Sequence, residues 1–321
     1  MIVITGAAGF IGSYLVSYFN QMGYDDIIIV DEFTRADKLQ NLNHKRYDRL
    51  LDREEFLPWL SQNGAMVSAI IHLGARTDTT EMDRSIFDHL NLAYSKRIWQ
   101  FCVAADVPLI YASSAATYGL GEFGYSDSHR IVPFLKPLNP YGDSKQDFDK
   151  WVLNQEETPP FWAGLKFFNV YGPNEYHKGR MASVIFHTVN QIRATGGMKL
   201  FRSHNPKFKD GEQSRDFVYV RDVAQMIAFL FREKPQSGLY NVGTGIARTF
   251  YDLAKATFRA MDLEPNISFI DTPEDIRGNY QYFTQAKMEK IREAGYQEPF
   301  TSLEDGVTDY VQKYLLKGLI F

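Results

Sequence analysis

Short apolar runs alternate with longer amphipathic stretches along the first half of the chain. "IVIT" at 2–5, "DIIIVD" at 26–31, "AIIHLGA" at 69–75 and "PLIYASS" at 108–114 are rich in β-branched residues and nearly continuous in apolar character. That is the pattern of strands buried on both faces. Amphipathic segments at 10–22 and 86–105 fall between them, so the rhythm predicts βαβ units and an α/β fold with a parallel sheet covered on both sides. This first unit spans roughly 1–170.

Beyond Pro173 the rhythm breaks. A helical stretch is predicted at 181–195, and the polar segment "RSHNPKFKDGEQSRDF" at 202–217 reads as a loop over a pocket. "FVYVRDVAQMIAFLF" and "GLYNVGTG" then look strand-like and helical again, so 215–245 is expected to return to the first unit. "NISFI" predicts one more strand, and 171–321 is expected to form mainly a smaller substrate-binding domain. No repeat and no low-complexity tract interrupts the chain.

Composition narrows the function classes. With 321 residues, 45% of them hydrophobic and 23% charged, the chain can bury a full core. A net charge of -4 offers no broad positive field, which argues against nucleic acid and anionic membrane surfaces as partners. The single cysteine, Cys102, rules out an intramolecular disulfide and a Cys-based zinc site, and no metal is expected. The apolar run at the first residues is too short for a signal-peptide core, and no run reaches the length of a membrane span, so a soluble cytoplasmic protein is the expectation.

Two stretches carry candidate chemistry. "TGAAGFIG" follows the first strand and opens the first helix, with Gly6, Gly9 and Gly12 at the spacing GxxGxxG. Glycines there let backbone approach a pyrophosphate, and the helix N-terminus supplies free N–H groups and a favourable dipole. Asp31 closes the second strand, where an acid bonds the ribose hydroxyls of NAD; Arg35, Lys38 and Arg53 follow and can hold a 2′-phosphate, which keeps NADP open.

The second stretch is "NPYGDSK" at 139–145. Asn139 suits a helix cap and Pro140 the first helical position, which puts Tyr141 and Lys145 one turn apart on one face. A tyrosine titrating near 10 is a poor base at neutral pH, but a neighbouring ammonium and a bound nicotinamide cation favour the phenolate. Upstream, "YASSAATYG" is a strand end that delivers Ser113, Ser114 and Thr117 to the same region.

Glycine loop, serine and Tyr-x-x-x-Lys in this order resemble the short-chain dehydrogenase/reductase superfamily. The length, the GxxGxxG spacing and "RDFVYVRDVA" at 215–224 resemble its extended, nucleotide-sugar branch. The resemblance implies a Rossmann-type doubly wound parallel sheet with a smaller α/β substrate-binding domain. It also implies that Ser114 polarises the substrate oxygen, Tyr141 exchanges its proton, and Lys145 holds the ribose and lowers the tyrosine pKa. Dehydratases of this branch carry an acid pair where this chain has Ala115 and Ala116, so elimination is disfavoured and epimerisation fits.

"FNVYGPNEYHKGRMASVIFH" at 168–187 adds a second lysine, Lys178, and with "YQYFTQA" downstream it closely resembles the ADP-glyceromanno-heptose 6-epimerases, essentially end to end. That family implies inversion of exocyclic carbon 6 of ADP-D-glycero-D-manno-heptose for the lipopolysaccharide core, with bound NADP, two alternative bases at Tyr141 and Lys178, and a homo-oligomer, a pentameric ring. Matched position by position, the cofactor contacts are Gly6, Gly9, Phe10, Ile11, Gly12, Asp31, Glu32, Lys38, Arg53, Leu73, Gly74, Ala75, Arg76, Thr77, Asn91, Lys145 and Val170. The substrate contacts are Asn169, Arg180, His187, Phe201, Arg202, Ser203, His204, Arg215 and Tyr280.

Departures from the family pattern are Arg180 in place of a small serine, Glu32 in place of an asparagine, and a longer loop at 202–214. A second carboxylate at 32 repels a 2′-phosphate, which leaves NAD as the lesser alternative. Two other readings compete: an NAD-dependent UDP-hexose 4-epimerase, which needs no second base, and a non-catalytic NADP-sensing regulator, which has no need of the Tyr–Lys pair.

Overall fold

The computed structural model describes residues 1–277 and 280–321. Its strands are β1 (Ile2–Thr5), β2 (Ile27–Asp31), β3 (Arg49–Asp52), β4 (Ala69–His72), β5 (Leu109–Ser114), β6 (Trp162–Phe167), β7 (Asn169–Tyr171), β8 (Met198–Phe201), β9 (Ser214–Tyr219), β10 (Gly238–Val242), β11 (Ala247–Thr249) and β12 (Ile267–Ile270). The helices that matter here are α1 (Phe10–Gln21), α2 (Arg53–Asn63), α3 (Tyr94–Ala104), α4 (Pro140–Leu153), α5 (Val184–Thr195), α6 (Val220–Glu233) and α7 (Phe250–Ala260).

Seven strands make one all-parallel sheet in the order β10-β6-β5-β4-β1-β2-β3. Both of its faces are apolar, as the sequence pattern requires. Ile2, Ile4, Ile27, Ile29 and Ile71 point into one core with Leu15 and Val16 of α1 and Val223, Ile227 and Leu230 of α6. The alternate positions Val3, Ile28, Val30, Ile70 and Leu109 point the other way, against Phe56 and Leu60 of α2, Trp99 of α3 and Phe148 of α4. This is a Rossmann-type doubly wound sheet. Two smaller sheets, β11-β9-β7 and β12-β8, complete the strands, and Met198 and Leu200 of β8 share a third core with Ala254 and Phe258 of α7.

Three places differ from the sequence pattern. The pair β3 and α2 was not visible in it, because β3 is an edge strand with Leu51 as its one buried residue, and α2 buries only Phe56 and Leu60 and contains Pro58. The helix predicted at 181–195 begins at Val184, where the Ser183 hydroxyl accepts the Phe186 amide, and a 3₁₀ turn at Tyr176–Met181 precedes it. The loop predicted at 202–217 stops at Gln213. Ser214–Phe217 lie in β9, a strand flanked by β7 and β11 and buried throughout. Polar residues survive there because Asp216 accepts the amides of Thr244, Gly245 and Ala286 at 2.8, 2.9 and 3.0 Å.

Candidate active site

Strand β1 sits between β2 and β4, where the strand order reverses and opens a crevice at the carboxyl ends of the strands. The glycine loop closes that point. Gly6, at φ +68°, donates to Val30 O at 2.8 Å, and Gly9 caps α1 and donates back to Gly6 O at 3.0 Å. A Cβ on Gly12 would stand 2.1 Å from the Gly6 carbonyl oxygen, and one on Gly6 would stand 2.7 Å from the Gly74 amide nitrogen. Backbone therefore packs on backbone, and the first-turn amides of Phe10 and Ile11, which have no carbonyl behind them in the helix, are left for an anion. These residues fit a dinucleotide pyrophosphate.

At the ribose end, Asp31 accepts the Ala8 amide at 2.9 Å and the Glu32 amide at 2.7 Å, and its carboxylate pairs with Lys38. Glu32 is held below the ordinary carboxylate range by hydrogen bonds from Thr34, with Lys38 and Arg53 adding to the effect. Arg53 opens α2, pairs with Glu54 at 3.1 Å and lends its carbonyl to Tyr94 at 2.9 Å. Arg35 is directed elsewhere: its guanidinium bonds Asp37 and the His177 carbonyl at 2.8 Å.

The loop after β4 forms the opposite wall. Leu73 and Gly74 donate to the Thr5 carbonyl at 3.2 Å and the Thr5 hydroxyl at 3.1 Å, and Ala75, Arg76 and Thr77 follow. Asn91, in a π-helical turn at Asp88–Ala93, grips both the amide (2.8 Å) and the carbonyl (3.0 Å) of Arg76 and donates to Ser144 of α4 at 3.0 Å. Its amide is committed to the protein. Val170 and the exposed Asn169 lie on β7.

The Tyr–Lys pair sits as the spacing predicts. The Asn139 side chain accepts the Gly142 amide at 2.8 Å, and Pro140 starts α4. Burial raises the Tyr141 phenol above its ordinary value, and a hydrogen bond with Ser114 at the end of β5 pulls it down. Lys145 is buried, donates to the Ala112 carbonyl at 2.7 Å, and is pushed down to about 8 by desolvation, with Asp149 opposing.

Beneath this pair lies an ion cluster that sequence reasoning missed. Asp149, one more turn along the same face of α4, meets Lys166 of β6 at 2.6 Å with both side chains fully buried. Ser113 and Tyr111 donate to the same carboxylate at 2.6 and 3.1 Å, and Lys166 also donates to Thr117 at 2.8 Å. Two signals pointed to it: the spacing Tyr-x-x-x-Lys-x-x-x-Asp, and a lone charge inside the apolar run "WAGLKFF".

Lys178 rides on the 3₁₀ turn after β7. Its ammonium lies 5.4 Å from the centre of the Phe10 ring, at the start of α1, so the turn folds back over the glycine loop. Desolvation lowers its pKa and the Glu175 carboxylate opposes the shift. Met181 touches Thr79 of the β4 loop at 3.8 Å, and Asp78 beside it is held low mainly by hydrogen bonds from Thr80, with Arg76 and the exposed Arg180 adding to the effect.

The remaining predicted contacts gather around β8 and β9. Arg215 is buried, donates to the Ser214 carbonyl at 2.9 Å, and lies 5.6 Å from the Tyr280 ring and 5.5 Å from the Phe250 ring. No carboxylate pairs with it among the described residues. Phe201 packs edge-on against Tyr280 at 6.3 Å. Arg202 points to Asp271 at 3.2 Å, while the amides of Ser203 and His204 bond Asp210 and the Tyr282 hydroxyl at 2.8 and 3.3 Å. His187, in the second turn of α5, bonds the Arg180 carbonyl at 3.3 Å. Among the described residues, no helix is long and apolar enough to cross a membrane.

Residues 2–243 match the model of the NAD dependent epimerase/dehydratase family. The chain belongs to that family. It is 49% identical over 327 residues to the ADP-L-glycero-D-manno-heptose-6-epimerase of Fusobacterium nucleatum, a match that covers 99% of this chain and 98% of the relative. The crystal structure of the Helicobacter pylori ADP-L-glycero-D-manno-heptose-6-epimerase superposes with a TM-score of 0.81 at 28% identity, over 97% of this chain and 95% of that one. The UDP-glucose 4-epimerase of Thermotoga maritima with UDP-glucose reaches 0.80 at 25% identity, over 99% of both chains. Fold alone does not separate the heptose and hexose enzymes; sequence identity does.

Proposed function

We propose that this protein epimerises carbon 6 of ADP-D-glycero-D-manno-heptose to the L-glycero-D-manno form. The ketone is made and reduced again on a sugar that presents its two faces in turn, and the product supplies lipopolysaccharide core synthesis. The observation that carries this reading is the Lys178 amine, lodged over Phe10 beside the glycine loop with its pKa depressed by burial. A ring-carbon epimerase needs one proton carrier. An exocyclic carbon whose oxygen ends in two places needs two.

A bound nicotinamide supplies hydride exchange. The chain's own groups handle the proton. Ser114 donates to the carbon 6 oxygen while Tyr141 takes or returns its proton in one orientation, and the Lys145 ammonium favours the phenolate. Lys178 does the same at the oxygen in the flipped orientation, and its burial brings amine and ammonium nearer to equal population. Arg215, a buried guanidinium without an acid partner among the described residues, takes a diphosphate oxygen, and Phe201 and Tyr280 flank the nucleotide. Asn169, Arg180, His187, Arg202, Ser203 and His204 complete the sugar and nucleotide contacts.

The cofactor in this proposal is NADP rather than NAD, because Lys38 and Arg53 both lie close enough to Glu32 to act on it and add positive charge at the ribose end. Residues 1–170, with 215–245, hold it, and 171–321 mainly hold the sugar. The setting is cytoplasmic and the assembly a pentamer of identical chains.

Lys178→Met tests the function. Turnover of the ADP-heptose should fall by roughly 10²- to 10⁴-fold, the range for loss of a general acid–base group, with the bound dinucleotide retained. Near-intact turnover, or turnover of a UDP-hexose instead, refutes it.

A further inference from the structure

We infer that His72 is a positioning residue for the reaction: a neutral ring with its proton on Nε2 that ties β1 to the turn holding Asn91, and through Asn91 sets both the cofactor wall and the helix that carries Tyr141. The inference rests on the proposed roles of that wall and of Tyr141.

His72 closes β4 beside Thr5 of β1, its register partner, and both side chains are buried. The ring bridges two hydroxyls. Its Nδ1 lies 2.6 Å from Thr5 Oγ1, and its Nε2 lies 2.9 Å from Ser95 Oγ in the first turn of α3. Proton counting fixes the direction of each bond. Thr5 Oγ1 already accepts the Gly74 amide at 3.1 Å, and among the described residues its own proton has no acceptor other than Nδ1. At the other end Ser95 donates to the Asn91 carbonyl, so its oxygen is left to accept from the ring. Only an Nε2–H ring gives every proton along this line an acceptor. A proton on Nδ1 strands the Thr5 hydroxyl, and buried hydroxyls rarely go unpaired. Burial, with the Lys145 ammonium adding to it, pushes the imidazole down to about 3, so the ring stays neutral.

The line continues past Ser95. Asn91 grips the amide and carbonyl of Arg76 and donates to Ser144, and the Ser144 hydroxyl donates on to the Tyr141 carbonyl at 2.7 Å. One end of the line therefore fixes the Gly74 amide in the cofactor wall, and the other fixes the first turn of α4. An apolar residue would fill this strand position, as Ile70 and Ile71 do just before it. The imidazole adds the link between elements.

The tautomer is read on the intact protein with its bound dinucleotide. With the histidines labelled with nitrogen-15 and the His72 ring assigned through its own Cβ, the ring nitrogens should keep the pattern of an Nε2–H ring across the pH range around about 6.5 where an ordinary histidine titrates. A ring protonated on Nδ1, or on both nitrogens at neutral pH, overturns the inference.

Kinetics tests the positioning. His72→Phe keeps a ring and loses both bonds; kcat for the ADP-heptose should fall by roughly 10- to 100-fold with KM within about twofold of wild type, the split expected when geometry and not ground-state binding is lost. Ser95→Ala breaks the same line one link on and should lose a similar factor, and the double variant should be no slower than the worse single one, because residues acting through one network do not add. A role in stability alone lowers Tm and leaves kcat of the folded, cofactor-bound enzyme unchanged; that result, or additive losses, overturns the inference. If His72→Phe does not fold, Ser95→Ala decides by the same kcat criterion. Tyr141→Phe separates the two levels: if it stays active the reading of the site fails, whereas an inactive Tyr141→Phe beside unchanged kcat in His72→Phe and Ser95→Ala sinks only the inference.

Discussion

Asp149→Asn probes the ion cluster beneath the Tyr–Lys pair. Asp149 and Lys166 are fully buried and 2.6 Å apart, and the carboxylate also accepts Ser113 and Tyr111. Neutralising the acid takes the counter-charge from the Lys166 ammonium and leaves it neutral partners: the new amide oxygen, the Thr117 hydroxyl at 2.8 Å and the Tyr118 ring at 5.2 Å. Breaking a buried pair from one side costs about 3–5 kcal/mol, because the surviving charge stays dry and uncompensated. For 321 residues, about 2.1 cal/mol/K each gives an unfolding entropy near ~0.7 kcal/mol/K, so ~4 kcal/mol lowers Tm by about 6 °C.

The same variant reaches the chemistry. Asp149 is the acid that holds Lys145 up against desolvation, so without it the Lys145 pKa moves below about 8 and the alkaline limb of kcat moves toward neutral pH. Thermal unfolding gives the first number and kcat against pH the second. The double variant Asp149→Leu, Lys166→Met removes both charges, and it should recover most of the lost Tm without restoring the Lys145 limb. A single variant that melts within about 1.5 °C of wild type, roughly 1 kcal/mol by the same conversion, with an unmoved limb, refutes the argument.

Gly12→Ala should weaken dinucleotide binding at least tenfold by calorimetry and lower stability by about 1–3 kcal/mol, because its Cβ meets the Gly6 carbonyl at 2.1 Å and backbone must move; wild-type binding would contradict the close approach. In the wild type, kcat should fall as pH rises through about 8, where Lys145 loses its ammonium. Stability runs the other way. The folded Lys145 pKa lies below the unfolded one, so its penalty is full below about 8 and is relieved between there and about 10.4, and Tm against pH for wild type and Lys145→Met should converge across that window.

What was legible in the chain was chemistry written along one element. The alternating faces of Ile2–Thr5 and Ile27–Asp31 are apolar whichever way they point, so the sheet and its layers followed from local pattern. Tyr141 and Lys145 were legible because four residues make one turn and Asn139 marks where it starts. The edge strand β3 was not, since three of its four positions escape burial and nothing periodic remains. In the sequence the heptose assignment came from resemblance over the whole chain; the place of Lys178 over Phe10, which carries it in the structure, became visible only in the fold.

Charges shared between elements were the part that local reading could not resolve. Arg35 reads as a cation for a 2′-phosphate, yet the His177 carbonyl, brought in by a turn far along the chain, takes its guanidinium. Asp149 and Glu175 are each buried because another element delivers a partner: Lys166 from β6 to one, Ser183 from the cap of α5 to the other. A buried carboxylate is costly enough that the fold must supply compensating donors around it. In both places desolvation lowers a lysine assigned to the chemistry, Lys145 or Lys178, and the buried carboxylate opposes that shift, so interior packing and the protonation of the site are linked.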